Sequence, residues 1–335
     1  MLDADVDLGI FAEVCSHLFA FLSIFSNTLL IFLAKRQTGV HFRTSYKALI
    51  VVFAITDIFY SILDYITGMG YQVHGNCMLA FLSRKLPFKS SFVSQSILIL
   101  RCSTIPFCFG ILQIHFLYRY ILVCQPKYSY IFSDPRYITL LTIAFLSNGV
   151  YWYIGTVVFC SVDTFTRQFM NQTFIDEYGV TTDDLIAVTL HFNVNHPDLN
   201  QNARIVLVLA AILFSGTIII FLALGLKTHQ GLSTIRMSPL FQSLQMQLFR
   251  ILMVQTLIPI LVAMLPCSFI WLSALFSNEF GKWHNFYMVP LMSSFPFLDP
   301  IINILMFADY RRYIINYITA IFTFKSIFRV SLSTI

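Results

Sequence analysis

Among the ionisable side chains inside long apolar runs of this chain are Asp57, Asp64, Arg101, Arg119 and Asp299. A charge in an apolar medium is costly unless it is paired or hydrogen-bonded, so each marks a polar interior rather than ordinary packing. Asp64 follows Asp57 by seven residues, two helical turns further along nearly the same face. Arg101 precedes Arg119 by 18 residues, about 27 Å along a helix. Asp64 and Arg101 then lie at similar depth, either as an ion pair or as two separately solvated groups. Arg119 closes the run His115-Phe116-Leu117-Tyr118-Arg119-Tyr120 at a helix mouth. There a guanidinium reaches carbonyls, side chains or an inserted partner, or snorkels to lipid phosphates. No catalytic constellation accompanies these groups. The histidines at 17, 41, 74, 115, 191, 196, 229 and 284 are scattered, and no HExxH, His/Asp cluster or nucleophile elbow occurs. The chain is read as no enzyme, with no cofactor and no metal.

Seven apolar stretches carry these residues: about 8–34, 46–68, 91–123, 137–159, 205–226, 248–276 and 285–307. A spanning helix needs about 20 mostly apolar residues. Charged residues make up 11% of the chain and hydrophobic ones 57%, against about 25% and 45–50% in soluble domains. The sequence predicts an all-α membrane protein, a seven-transmembrane helix bundle in one domain, 1–335, with a short tail over 308–335. No internal repeat favours a transporter built from duplicated halves. A multipass transporter or channel is the alternative, and Asp57 and Arg101 offer it little of a continuous polar path.

Lys and Arg set the orientation. Lys35, Arg36, Arg43 and Lys47 follow the first span, Lys127 and Arg136 the third, and Lys227 and Arg236 the fifth; Arg311, Arg312, Lys325 and Arg329 lie in the tail. The opposite side carries Asp3, Asp5 and Asp7, then Asp163, Asp176, Glu177, Asp183, Asp184 and Asp198. The positive-inside rule places the N-terminus outside and the tail in the cytosol. Arg84, Lys85 and Lys89 run against it. The net charge of +5 reflects the inner excess and gives no support to nucleic-acid binding. No basic n-region or cleavage site precedes the first span, and neither end carries an acylation motif.

Asn171-Gln172-Thr173 is a glycosylation acceptor in the long outer loop 160–204, read as a cap over the outer mouth. Cys77 and Cys160 are the cysteines on the outer side of the membrane, as a disulfide or as two free thiols. Pro106, Pro259, Pro266, Pro290, Pro296 and Pro300 can each kink a helix. The outer half of the bundle is the natural ligand cavity, with Ser94, Gln95, Arg101, Cys102 and Ser103 from span three and Asp64 and Tyr65 from span two as candidates.

Three long motifs carry a resemblance. They are the run 115–120; Leu244-Gln245-Met246-Gln247-Leu248-Phe249 continuing to Gln255-Thr256-Leu257-Ile258-Pro259; and Phe295-Pro296-Phe297-Leu298-Asp299-Pro300 followed by Asp309-Tyr310-Arg311-Arg312. In that order they resemble the nematode seven-transmembrane chemoreceptors, more narrowly the Str branch with its receptors for small volatile odorants. Ser83-Arg84-Lys85 resembles the same branch.

The resemblance implies a G-protein-coupled olfactory receptor in the plasma membrane of sensory-neuron cilia. Its partners would be the lipid bilayer, a small-molecule odorant and a heterotrimeric G protein. Arg119 would engage the G protein when the sixth helix swings out, and Tyr118, Tyr120 and Arg250 would take part in the same coupling. Asn27, Asp57 and Asp299 resemble the polar centres of rhodopsin-like receptors and imply an interior network whose protonation or ion content changes with state. Pro259, Pro296 and Pro300 mark the helices that move. Departures are plain: Tyr118 replaces the acid before the arginine, no acid stands at the foot of helix six, and no Cys-Trp-x-Pro occurs there. Span seven lacks the Tyr of Asn-Pro-x-x-Tyr. The position 25 residues before Arg119 is Ser94 rather than Cys, which leaves Cys77 as the conjectural substitute.

Overall fold

The backbone of seven segments satisfies its own hydrogen bonds as helix while exposing apolar side chains, the solution that a bilayer demands. In the computed structural model, residues 6–36, 44–87, 90–234, 238–281, 283–317 and 319 are described. Arg43, Lys89, Arg236, Lys325, Arg329, Asp3 and Asp5, used above for orientation, lie outside them. The order is α1 (Ile10–Arg36), α2 (Thr44–Thr67), β1 (Met69–His74), β2 (Cys77–Leu82), α3 (Ser91–Cys124), α4 (Pro135–Phe159), α5 (Thr164–Tyr178), β3 (Ala187–His191), α6 (Pro197–Thr234), α7 (Pro239–Pro259), α8 (Leu265–Leu275) and α9 (Trp283–Met306). Among the described residues, seven spans are long and apolar enough to cross a membrane: α1, α2, α3, α4, α6, α7 with α8, and α9. A π-helical turn over 260–264, between Pro259 and Pro266, joins α7 to α8. Such turns mark places where a proline breaks the regular ladder.

Two spans are longer than the apolar runs suggest. The fifth covers Pro197–Thr234 and the sixth begins at Pro239, so most of the expected loop over 227–247 is helix. Local signals fix the starts. Asp134 accepts from the Arg136 backbone N–H at 2.9 Å with Pro135 in the first turn, and Ser238 accepts from Phe241 N–H ahead of Pro239.

α3 is the central helix and touches α2, α4, α6 and α7. Its crossing with α4 is close because Gly110 and Gly149 face the partner helix. A Cβ on Gly110 would lie 2.8 Å from the Phe145 carbonyl oxygen. Gly110→Ala is therefore expected to lose about 1–3 kcal/mol by overpacking, read as a lower melting temperature in detergent. Gly216→Ala, where a Cβ meets nothing within 4 Å, is the control and should hold or raise it.

The bundle carries a cap that the all-α expectation did not contain. β1, β2 and β3 form an antiparallel sheet in that order, with His74 opposite Cys77 across the Gly75-Asn76 turn. Gly75 has φ 52°, the left-handed conformation that such a two-residue turn needs. The sheet is buried on both faces. Met78 and Ala80 face the bundle, while Phe81 meets Phe174 of α5 at 5.1 Å between ring centroids. The expected cap over 160–204 is thus ordered, with a helix and the third strand.

Polar ties hold the cap down. Asn285 of α9 accepts from Tyr71 N–H at 2.7 Å and donates to Tyr178 Oη at 2.9 Å. Tyr178 donates in turn to Gln72 Oε1 at 2.8 Å. Arg167 donates to the Thr182 and Leu185 carbonyls. His191 on β3 lies 3.0 Å from Thr166 Oγ1 through Nδ1, and burial lowers its pKa, favouring the neutral ring.

Candidate ligand pocket and coupling site

Beneath the sheet lies a cavity of about 70 Å³. Its roof is Met69, Tyr71, Met78, Ala80, Val188 and Leu190, and its walls include Arg101, Cys102, Trp152, Cys267 and Trp271. Arg101, 1% exposed, donates to Asp64 Oδ1 from Nε at 2.9 Å and from Nη2 at 2.5 Å. Its Nη2 also reaches Tyr60 Oη at 2.9 Å, and its guanidinium stands 4.1 Å from the Tyr60 ring centroid. Asp64 Oδ2 accepts from Ser293 at 2.6 Å. Depth counted along the helices brought these two charges together, and the pair ties α2, α3 and α9.

The prolines of α9 explain the next layer. A proline lacks the N–H that the carbonyl four residues earlier expects. Pro296 frees the Met292 carbonyl, and Tyr60 donates to it at 2.9 Å. Pro300 frees the Pro296 carbonyl, which accepts from Asn27 Nδ2 at 2.8 Å and from Ser23 at 3.0 Å. Asp299 accepts from Gln255 Nε2 of α7 at 2.9 Å. Asn27, Asp57 and Asp299 share the interior without bonding one another directly among the described residues. Asp57 keeps both carboxylate oxygens buried with no protein donor there.

At the far end of α3, Arg119 is 2% exposed. Its Nη1 donates to Gln245 Oε1 of α7 at 3.0 Å, and its guanidinium lies 4.1 Å from the Tyr46 ring centroid. Nη2 is buried without a hydrogen-bond partner among the described residues. Glutamines make the other polar ties of α7: Gln242 to the Leu232 carbonyl and Gln247 to the Met306 carbonyl, both at 2.7 Å. A guanidinium held by an amide and an aromatic face occupies the place where an acid is absent.

The sequence family described as "Serpentine type 7TM GPCR chemoreceptor Srj" matches residues 8–314. The chain belongs to the Srj family of serpentine chemoreceptors. Among its relatives is Serpentine receptor class J-38 of Caenorhabditis elegans, 25% identical over 298 residues, 86% of each chain. Another is Serpentine receptor class r-10 of the same organism, 24% identical over 280 residues, 82% of this chain and 81% of the relative. A third, G-protein coupled receptor str-33, is 22% identical over 303 residues, 88% of this chain and 87% of the relative. The resemblance to nematode chemoreceptors holds, with Srj as the matching family and a str receptor among the relatives. The chain is a multi-pass membrane protein of a receptor family, not an enzyme.

Several expected site residues of this serpentine receptor have other surroundings. Arg250 is exposed on α7, five residues past Gln245 and more than a helical turn further along. Tyr118 packs inward, stacked on Tyr46 at 5.8 Å and edge-on to Phe132 at 4.9 Å. Tyr120 is half-buried with Lys227 Nζ 5.9 Å over its ring. Cys102 lines the pocket; Ser94 and Gln95 do not, because Gln95 donates to the Ala187 carbonyl of β3 at 2.8 Å. Tyr65 is exposed, under the Arg84 guanidinium.

The Cys77–Cys160 bridge is not formed; both cysteines are free and buried. Thr189 stands against both, its Oγ1 3.6 Å from Cys77 Sγ and its N–H bonded to the Cys160 carbonyl at 3.0 Å. Burial pushes the Cys77 thiol up to about 12. Neither cysteine should react with a maleimide at pH 8 in the folded receptor, and both should react after unfolding without reductant, as peptide mass mapping would read. Gln245, Trp271 and the sheet were missed as site elements. The Gly75-Asn76 pair between two apolar runs was the available signal for the hairpin.

Proposed function

We propose that this receptor binds a small odorant in the cavity beneath the sheet and couples to a heterotrimeric G protein at Arg119. The sheet end faces outward with the N-terminus, the tail is cytosolic, and the receptor resides in the plasma membrane of a sensory cilium. One domain, 1–335, carries both sites.

The observation behind this reading is that one broken helix touches both places. Cys267 and Trp271 of α8 wall the cavity, Gln245 of α7 holds Arg119, and Pro259 with the π turn lies between. A ligand acts only through its different affinity for two arrangements. Here a ligand pressing on α8 favours an arrangement in which α7 releases Arg119, and the α-subunit's C-terminal helix enters. Asp57, without a donor in the closed arrangement, is the interior group whose proton or ion content changes with that motion.

Pro259→Ala tests the hinge. Restoring the N–H should straighten the turn and lower the maximal response severalfold at unchanged surface level; an unchanged maximum removes the hinge from the mechanism. Asn171 lies within α5 with its Oδ1 accepting from Thr182 N–H at 3.0 Å. Asn171→Gln is expected to abolish a glycosidase-sensitive mobility shift, and the absence of that shift in the wild type speaks against an outward sheet.

A further inference from the structure

One buried histidine of the cap takes no part in ligand binding or coupling. His191, the last residue of β3, is 1% exposed, and its Nδ1 partner at 3.0 Å, Thr166 of α5, is fully buried. The imidazole stacks on Phe165 with centroids 5.6 Å apart and tilts against Phe169 at 5.0 Å. α5 thus covers it with two aromatic rings. Nε2 is buried without a hydrogen-bond partner among the described residues. A neutral ring with its proton on Nδ1 donates to the Thr166 hydroxyl and leaves only a lone pair on Nε2. An imidazolium adds an N–H and a charge at Nε2, where no acceptor waits.

The ionisable neighbours of His191 come from several elements. Asp163, the N-cap of α5, accepts from the Thr166 backbone N–H at 2.8 Å and favours a positive ring. His196, in the connection to α6, lies 3.8 Å from the Phe165 ring centroid and disfavours one. Cys77 of β2 pairs with His191 across the sheet, and burial keeps its thiol neutral. His74 of β1 sits on Phe169 at 5.4 Å and faces Glu279 of the α8–α9 connection at 3.2 Å. Burial outweighs Asp163, so the closed cap holds the His191 pKa below its ordinary value.

We infer that the cap is an acid-sensitive lid, in which a proton taken up by His191 releases α5 from the sheet. β3 also supplies Val188 and Leu190 to the cavity roof, so the release reaches that roof. An imidazole freed into water titrates near about pH 6.5, and the closed ring titrates lower. Between those values the open cap binds a proton that the closed cap does not, so opening gains as pH falls. One proton sets a ceiling of about tenfold per pH unit. His74 acts in the opposite direction, because its protonation strengthens the tie to Glu279. The lid stands whether or not the cavity holds an odorant.

The test is hydrogen–deuterium exchange on the purified full-length receptor in detergent, with neither ligand nor G protein. Two conditions, about pH 7.5 and about pH 5.5, bracket the ordinary histidine range, and exchange is corrected for intrinsic amide rates. Peptides from α5 and β3 should open severalfold more at the lower pH, with peptides from α3 unchanged. His191→Phe keeps a ring against Phe165 and Phe169 without a titrating group, and should make those peptides indifferent to pH. Should it fail to fold, His191→Asn offers Thr166 an amide and should give the same flat profile. His196→Gln and His74→Gln should both keep the acid response. A response that survives His191→Phe or His191→Asn overturns the inference, as does its absence in wild type. Loss of the response in either of the other histidine variants, or equal opening of α3, overturns it too.

Discussion

Arg101→Met is expected to cost about 3–5 kcal/mol, because it strands the Asp64 carboxylate in the bundle with Ser293 as its remaining donor. The readout is a large fall in surface level and in melting temperature. Asp64→Asn is expected to be of the same order, since a buried guanidinium then loses its counter-charge. The pair also joins three spans, so its loss removes ties from α2 and α9 together. The double variant decides what the pair is worth. Asp64→Asn with Arg101→Gln should recover part of the loss, giving a coupling of about 0.5–3 kcal/mol between the sites. Additive losses in surface level and response would show that each charge is solvated on its own, and the pocket would lose its anchor.

The second large effect belongs to the other end of α3. Arg119→Ala should abolish signalling at equal surface level. Gln245→Ala should do the opposite and raise ligand-free signalling. It removes a hydrogen bond to a charged group, worth about 1.5–3 kcal/mol, and each 1.4 kcal/mol is about tenfold in population. A basal rise of about tenfold is thus expected, limited by the ceiling of the assay. Gln245→Glu should lower basal signalling, since a carboxylate would hold Arg119 more firmly than an amide. The two changes moving basal activity in the same direction would remove Gln245 as the latch.

The sequence made the helices legible because a spanning segment is a long, uniform signal. Their ends were less so. The last turns of α6 and the start of α7 are polar enough to read as loop, although Ser238-Pro239 is a good helix start. The Asp64–Arg101 pair could be found because depth along a helix is simple arithmetic. The Arg119 latch could not, because it depends on which face of α7 turns toward α3. Gln245 stood inside a motif already noted, but an amide gives no charge signal to mark it. The prolines were seen as kinks, while their carbonyl partners, Tyr60, Asn27 and Ser23, needed the packing of three helices. The sheet was hidden for another reason. Strands buried on both faces lack the alternation of polar and apolar residues that marks a half-exposed strand, so β2, Cys77–Leu82, reads as a bare apolar run. The choice between a disulfide and two free thiols was not legible because sequence places Cys77 and Cys160 on one side but cannot see Thr189 between them.

The central claim is that a molecule held beneath the sheet signals through Arg119. The most direct measurement is a calcium or cAMP response, in cells, to a panel of small odorants. Wild type, Arg119→Ala and the cavity-narrowing Cys267→Leu would be compared at matched surface level. The account expects a response in wild type that is absent in Arg119→Ala and shifted to higher odorant concentration in Cys267→Leu. A response that survives Arg119→Ala, or one indifferent to the narrowed pocket, would contradict it.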